Sequence, residues 1–103
     1  PHSVVITLGE RGALVATAGA ARLIPAFPVE AVDTVGAGDA FCGAFAVALA
    51  SGAPLLDAAR YGSAAAACAV TRPGAAAALP SRPEVAQILQ TSGELSPALQ
   101  RFC

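Results

Sequence analysis

Ala31-Val32-Asp33-Thr34-Val35-Gly36-Ala37-Gly38-Asp39-Ala40-Phe41 is the stretch on which the fold turns. Upstream of it, β-branched runs read as strands. Downstream, the larger side chains Phe41, Phe45 and Leu49 recur every four residues, which is one face of a helix. The stretch is therefore a strand-to-helix turn carrying two glycines and a carboxylate. Gly36 and Gly38 let the backbone approach a ligand closely. The amides of residues 36–39 fall at the helix start, where the first donors lack intrahelical partners and the dipole end is positive. Such a nest holds an anion without any cationic side chain. Asp39 on its own is commonly just a cap. A cap does not call for two glycines directly before it, however, and Asp33 places a second carboxylate in the same connection. A dinucleotide fingerprint does not fit, because Phe41 holds the place of its third glycine.

Working back from that stretch, Val4-Val5-Ile6-Thr7-Leu8 reads as a buried strand and Gly9-Glu10-Arg11-Gly12 as a turn. Ala13–Thr17 returns as the second arm of a hairpin, and a turn at Ala18-Gly19-Ala20 leads to Arg22-Leu23-Ile24. Pro25 and Pro28 bracket an extended connection. Val29 and Val32, alternating with Glu30 and Ala31, predict one more short edge strand.

Working forward, the pattern predicts a helix over 40–50, ended by Ser51-Gly52, and a second from Leu55 to about Val70 with Pro54 at its start. Arg72-Pro73-Gly74 breaks it. Ser81 is the N-cap of a further helix, with Pro83 and Glu84 in its first turn and Val85, Ile88 and Leu89 on its buried face. Beyond Ser92 the tail is expected to fray. Strands followed by two or three helices make one structural unit over residues 1–103.

A chain of 103 residues has room for one ordinary domain, and 55% hydrophobic with 13% charged residues excludes a disordered polyelectrolyte. Much of that apolar share is Ala, so the core is light. The helices of small residues are expected to pack on a sheet lying mostly outside this chain, leaving an apolar cut surface. The six basic residues are all Arg and are dispersed, which gives no stripe for a nucleic-acid backbone. Without Lys, a Walker-type phosphate loop is excluded. Cys42, Cys68 and Cys103 form no CxxC pair and have only His2 for company, so reduced thiols are expected rather than a zinc site or disulfides. No signal peptide is visible, and the Ala-rich Gly62–Val70 run is too short to span a bilayer. The expectation is a cytosolic protein with no membrane partner. Because the chain starts at Pro1 and enters a strand at once, it is expected to begin within something larger.

The string Asp33-Thr34-Val35-Gly36-Ala37-Gly38-Asp39-Ala40-Phe41-Cys42-Gly43-Ala44 resembles the C-terminal signature of the ribokinase-like (PfkB) carbohydrate kinases. Thr7-Leu8-Gly9-Glu10-Arg11-Gly12 is similar to that family's strand and turn beside the nucleotide. Ala65 to Ala75 resembles the helix and loop that close its adenine and cation sites. The likeness covers nearly all of this chain but only about the last third of a usual member.

The resemblance implies an α/β fold, the C-terminal part of a three-layer α/β/α kinase domain whose N-terminal sheet and β lid are absent here. It implies ATP-dependent phosphorylation of a sugar primary hydroxyl, with a ribose-type pentose as first expectation and fructose, ketodeoxygluconate or a nucleoside as others. Asp39 would be the catalytic base and touch the substrate, and the amides of Gly36, Ala37, Gly38 and Asp39 would form the anion hole. Thr7, Leu8, Gly9, Glu10, Arg11, Gly12, Gly38 and Ser63 would line the nucleotide. Asp33 and the carbonyls of Val35, Ala69, Arg72 and Gly74 would hold a monovalent cation, K⁺. Mg²⁺ would accompany ATP on acids upstream of this chain. A full-length homodimer is compatible with this.

Two departures stand out. Ser63 occupies a place where Asn or His often lies beside the adenine, and Ala78 one where a side-chain oxygen can join the cation cage. The bland readings are a turn cap for Asp33 and a solvated turn residue for Arg11. The alternative for the whole chain is an inactive fragment or nucleotide-binding remnant.

Overall fold

The computed structural model describes residues 3–71, 80–93 and 95–102. Strands β1 (Ser3–Thr7), β2 (Ala13–Thr17) and β3 (Ala20–Ile24) form an antiparallel meander in the order β1-β2-β3. Thr7 pairs with Ala13 and Ala13 with Ile24, so Ala13, Val15 and Ile24 face the helices and are buried. Ile6, Leu14 and Leu23, which pair in the next row, take the opposite face. A single 3-10 turn, Gly9–Arg11, closes the first hairpin. Gly12 follows it at φ +103°, so close to the exit of β3 that an added Cβ would lie 2.0 Å from the Ile24 carbonyl oxygen.

The expectation of a buried first strand is corrected. Val4 and Ile6 are 45% and 49% exposed, because β1 is a sheet edge and only one face of the sheet is covered. The short strand expected at Val29–Val32 also does not form. Pro28, directly before the segment, has no N–H for a ladder, and the amides of Val32 and Asp33 both donate to the Val70 carbonyl, at 2.6 and 3.1 Å. The connection is pinned to a helix end rather than to a sheet.

Helix α1 (Ala37–Ala50) begins three residues before the expected start. Gly36, at φ 87° and ψ −1°, is its N-cap and accepts the Ala40 amide at 2.9 Å. Helix α2 (Leu55–Val70) has the predicted bounds, with Pro54 at its N-cap. Small residues let α1 and α2 pack closely: a Cβ on Gly62 would stand 3.1 Å from the Phe41 carbonyl oxygen. This helix finds its cover inside the chain. Ala58, Tyr61, Ala64 and Ala65 join Val85, Leu89 and Leu99 in the main core, while Ala59 joins Phe41 and the inner sheet face. The uncovered apolar surface lies instead on the outer sheet face, at Val32 and Val35 in the connection before α1, and on α1 at Val47 and Leu49.

Helix α3 (Arg82–Thr91) opens on a full capping box: Ser81 Oγ accepts the Glu84 amide, and Glu84 Oε1 accepts the Ser81 amide at 2.8 Å. Val85 and Leu89 are fully buried, and burying each side chain stabilises by roughly 1.5–3 kcal/mol. The frayed tail expected after Ser92 is a short helix, α4 (Pro97–Phe102). Leu99 is fully buried, and Ser96 Oγ donates to Asp57 Oδ1 at 3.1 Å while accepting the Leu99 amide. The Phe102 ring meets Tyr61 edge-on at 4.8 Å, with the Arg82 guanidinium 4.5 Å from its centre. No described helix is long and apolar enough to cross a membrane.

Candidate functional site

A cleft of about 580 Å³ opens where the first hairpin turn, the 26–34 connection and the faces of α1 and α2 meet. Thr7, Gly9, Glu10 and Gly12 form one wall. Their placement follows from the hairpin: the tight approach of Gly12 to Ile24 folds the turn over toward the connection. Ala26 to Val29 form a second wall. Ala37, Gly38 and Phe41 of α1 and Ser63, Ala66, Ala67 and Val70 of α2 complete the lining, each set at helical spacing.

The start of α1 is held by three contacts. Ala40 and Ala69, both fully buried, pack together and seat it against the last turn of α2. The Val70 carbonyl fixes Val32 and Asp33, as above. Asp33 Oδ1 then accepts the Val35 amide at 3.0 Å, closing a turn directly before Gly36. Of the four amides expected in the anion hole, Ala37 leans back to the Thr34 carbonyl at 3.3 Å. Gly38 and Asp39 are the second and third helical residues and have no carbonyl four places back within the helix. Gly38 is exposed on the cleft, with open space where a Cβ would stand.

The cleft brings together most of the residues expected to line a nucleotide: Thr7, Gly9, Glu10, Gly12, Gly38 and Ser63. Leu8 and Arg11 are exposed and do not line it. Arg11 has thus the solvated position that its turn suggested. Asp39 is exposed too, one residue past Gly38 and off the cleft. At about 100° per residue, Ala37, Gly38 and Phe41 share one side of α1 and Asp39 falls toward the other. The helix tip therefore presents Gly38 to the cleft and Asp39 to solvent beside it.

Asp33 is tied to the negative dipole end of α2 by its amide, which donates to the Val70 carbonyl, and to Val35 by its Oδ1, which accepts the Val35 amide. A carboxylate with backbone carbonyls is an all-oxygen donor set, which suits a hard cation. Arg72, Gly74 and Ala78 lie outside the described residues. Among those described, no three His, Cys, Asp or Glu side chains cluster as a metal site.

Sequence reasoning missed the wall at Phe27, Pro28 and Val29. The signal was present, since an aromatic residue between two prolines is an odd choice for a mere connection.

Residues 1–82 match the model for pfkB family carbohydrate kinases. Over 89 residues the chain is 43% identical to the ribokinase of Haemophilus influenzae, covering 86% of this chain and 29% of that protein. The crystal structure of Thermotoga maritima ribokinase superposes with a TM-score of 0.80 at 45% identity, covering 85% of this chain and 30% of that one. Arabidopsis thaliana ribokinase complexed with ribose and ATP gives a TM-score of 0.80 at 33% identity, covering 86% and 29%. The chain thus spans less than a third of the length of these relatives and has the fold of that part of them.

Proposed function

The chain belongs to the pfkB family of carbohydrate kinases, and from that membership we propose that it supplies the nucleotide cleft, anion hole and catalytic base of an ATP-dependent sugar kinase. It would be the C-terminal portion of a single kinase domain. The observation that carries this reading is the shared tip of α1, with Gly38 on the cleft and Asp39 beside it but off the cleft.

Phosphoryl transfer needs in-line positioning, stabilisation of charge on the transferred group, and a place for the hydroxyl proton. ATP in the cleft brings its γ-phosphate to the amides at the tip of α1. These hydrogen-bond its oxygens as charge builds in the transition state. A sugar hydroxymethyl approaching from the Asp39 side is then opposite the leaving ADP. Asp39 takes the hydroxyl proton as the new O–P bond forms and the bond to the β-phosphate oxygen breaks. Mg²⁺ bound with ATP would neutralise phosphate charge, on acids that this chain does not supply. K⁺ would be held by the Asp33 carboxylate and by backbone carbonyls such as those of Val35 and Ala69, where it would brace the Gly36–Gly38 turn. Ribose is the first expected substrate, by analogy with the ribose-bound relative. The protein would act in the cytosol.

One observation favours a second reading for the chain taken alone. It spans so little of its relatives that the isolated 103 residues would be an inactive piece of that enzyme.

The test is Asp39→Asn in a kinase of full family length carrying this chain. Removing the base should lower kcat by about 10²–10⁴-fold with ATP affinity nearly unchanged. Wild-type turnover in that variant overturns the assignment.

A further inference from the structure

The first turn of α1 rests on α2 at two points. Ala40 meets Ala69, and the two are 1% and 0% exposed, so the contact is closed to solvent. Gly62 lies seven residues before Ala69, on the same side of α2. It passes so close to α1 that a Cβ there would stand 3.1 Å from the Phe41 carbonyl oxygen and 3.2 Å from the Phe41 ring. Ahead of both points, the Val70 carbonyl ties Val32 and Asp33 to the end of α2. Gly38 and Asp39 directly precede Ala40, within one helical turn of both seats.

A close-packed contact of this kind does not compress: added methyl groups move backbone instead. At Ala69 the two sides are unequal in what can move. Helix α2 is held along its length, with Ala58, Tyr61, Ala64 and Ala65 in the main core beside Val85, Leu89 and Leu99. The tip of α1 has half-buried or exposed residues at 36–39 and is the side that yields. Any volume added at Ala69 therefore lifts the turn that carries Gly38 and Asp39.

Resting on the function proposed above, we propose that Ala69 is a positioning residue for phosphoryl transfer. Its methyl group sets the height of the α1 tip over α2, and so where the Gly38 amide and the Asp39 carboxylate meet the reacting groups. Ala69 is not among the residues lining the cleft; it acts through Ala40. Thr7, Gly9 and Ser63 line the cleft on other elements or earlier turns, so nucleotide binding does not depend on this seat. The chemical step does, because a misplacement of about 1 Å costs about a hundredfold in rate.

The test is steady-state kinetics in a full-length kinase carrying this chain. Ala69→Val should lower kcat about tenfold or more, with KM for ATP within about threefold of wild type. Ala40→Gly opens space opposite the added methyl groups, so the double variant should recover kcat to within about threefold. Leu99→Ala loosens the separate main core and should leave kcat within about threefold. If Ala69→Val does not fold, Ala69→Ser adds a single atom and is read by the same kcat loss and the same recovery with Ala40→Gly. Wild-type kcat in the Ala69 variant overturns the proposal, as does a loss that Ala40→Gly fails to recover or that Leu99→Ala matches. A loss abolished by added KCl also overturns it, since the effect then lies in the proposed cation site at the Ala69 carbonyl. Wild-type turnover in Asp39→Asn sinks the function reading and this inference with it. An inactive Asp39→Asn beside an unaffected Ala69→Val sinks the inference alone.

Discussion

The Asp33 carboxylate turns back on its own loop, its Oδ1 accepting the Val35 amide at 3.0 Å. This turn delivers the chain into the left-handed Gly36 and so into the first turn of α1. One side chain therefore bears on both the shape of the anion nest and the proposed cation site. A carboxylate has lone pairs to spare after one hydrogen bond, so the two roles are compatible.

They separate by substitution. Asn keeps a side-chain oxygen for the Val35 amide and loses only the charge, whereas Ala loses both. In a full-length kinase, Asp33→Asn should raise the K⁺ concentration for half-maximal activity by about tenfold, the scale of one charge-assisted contact. Asp33→Ala should in addition lower the activity reached at saturating K⁺. A KCl titration in which Asp33→Asn matches wild type would leave Asp33 with its turn alone.

Gly12 and Gly9 offer a paired test of the hairpin wall. Both have positive φ, but an added Cβ meets backbone at Gly12 and open space at Gly9. Gly9→Ala should cost about 1 kcal/mol, the strain of a left-handed non-glycine residue. Gly12→Ala should cost about 3 kcal/mol or more, since its backbone cannot move without displacing β3. Urea melts of the two variants measure the difference. Equal midpoints would mean that the turn does not press on the Ile24–Ala26 exit.

These contrasts show what a sequence can carry. The hairpin, both long helices and the N-cap at Ser81 were legible, because each is set by local spacing and by local turn or cap chemistry. The glycine turn leading into α1 at residues 36–38 was legible for the same reason. The cleft was only half legible: hairpin turn and helix start were marked by glycines, but the Phe27–Val29 wall has no periodicity. The edge strand expected at Val29–Val32 did not form, and the end of that segment is tied instead to Val70, a partner far off in the chain, through the amides of Val32 and Asp33. Helix α4 was missed since six residues carry no period, and what stabilises it is the long-range docking of Leu99, Ser96 and Phe102.

That docking makes α4 a part of the core. Leu99→Ala should destabilise the protein by about 2–5 kcal/mol, as for other fully buried leucines. Ser96→Ala, which removes both the α4 cap and the bond to Asp57, should cost about 1–2 kcal/mol. A Leu99→Ala melt coincident with wild type would return the tail to the frayed state expected from sequence.

The last prediction concerns the isolated 103-residue chain. Ile6 and Leu23 flank Leu14 on the outer sheet face and are 49% and 51% exposed, with Val4 beside Ile6 on β1. An uncovered apolar face next to an unpaired edge is a template for self-association. The isolated chain should therefore bind a hydrophobic dye, associate at micromolar concentration and lack kinase activity. Ile6→Lys with Leu23→Lys places two charges on that face while leaving the buried Ala13, Val15 and Ile24 face untouched. Sedimentation should then show a smaller species, because desolvating a charge costs more than the apolar contact returns. If the double variant associates as strongly as wild type, the outer face is not what drives it, and the exposed Val47 and Leu49 of α1 become the next pair to substitute.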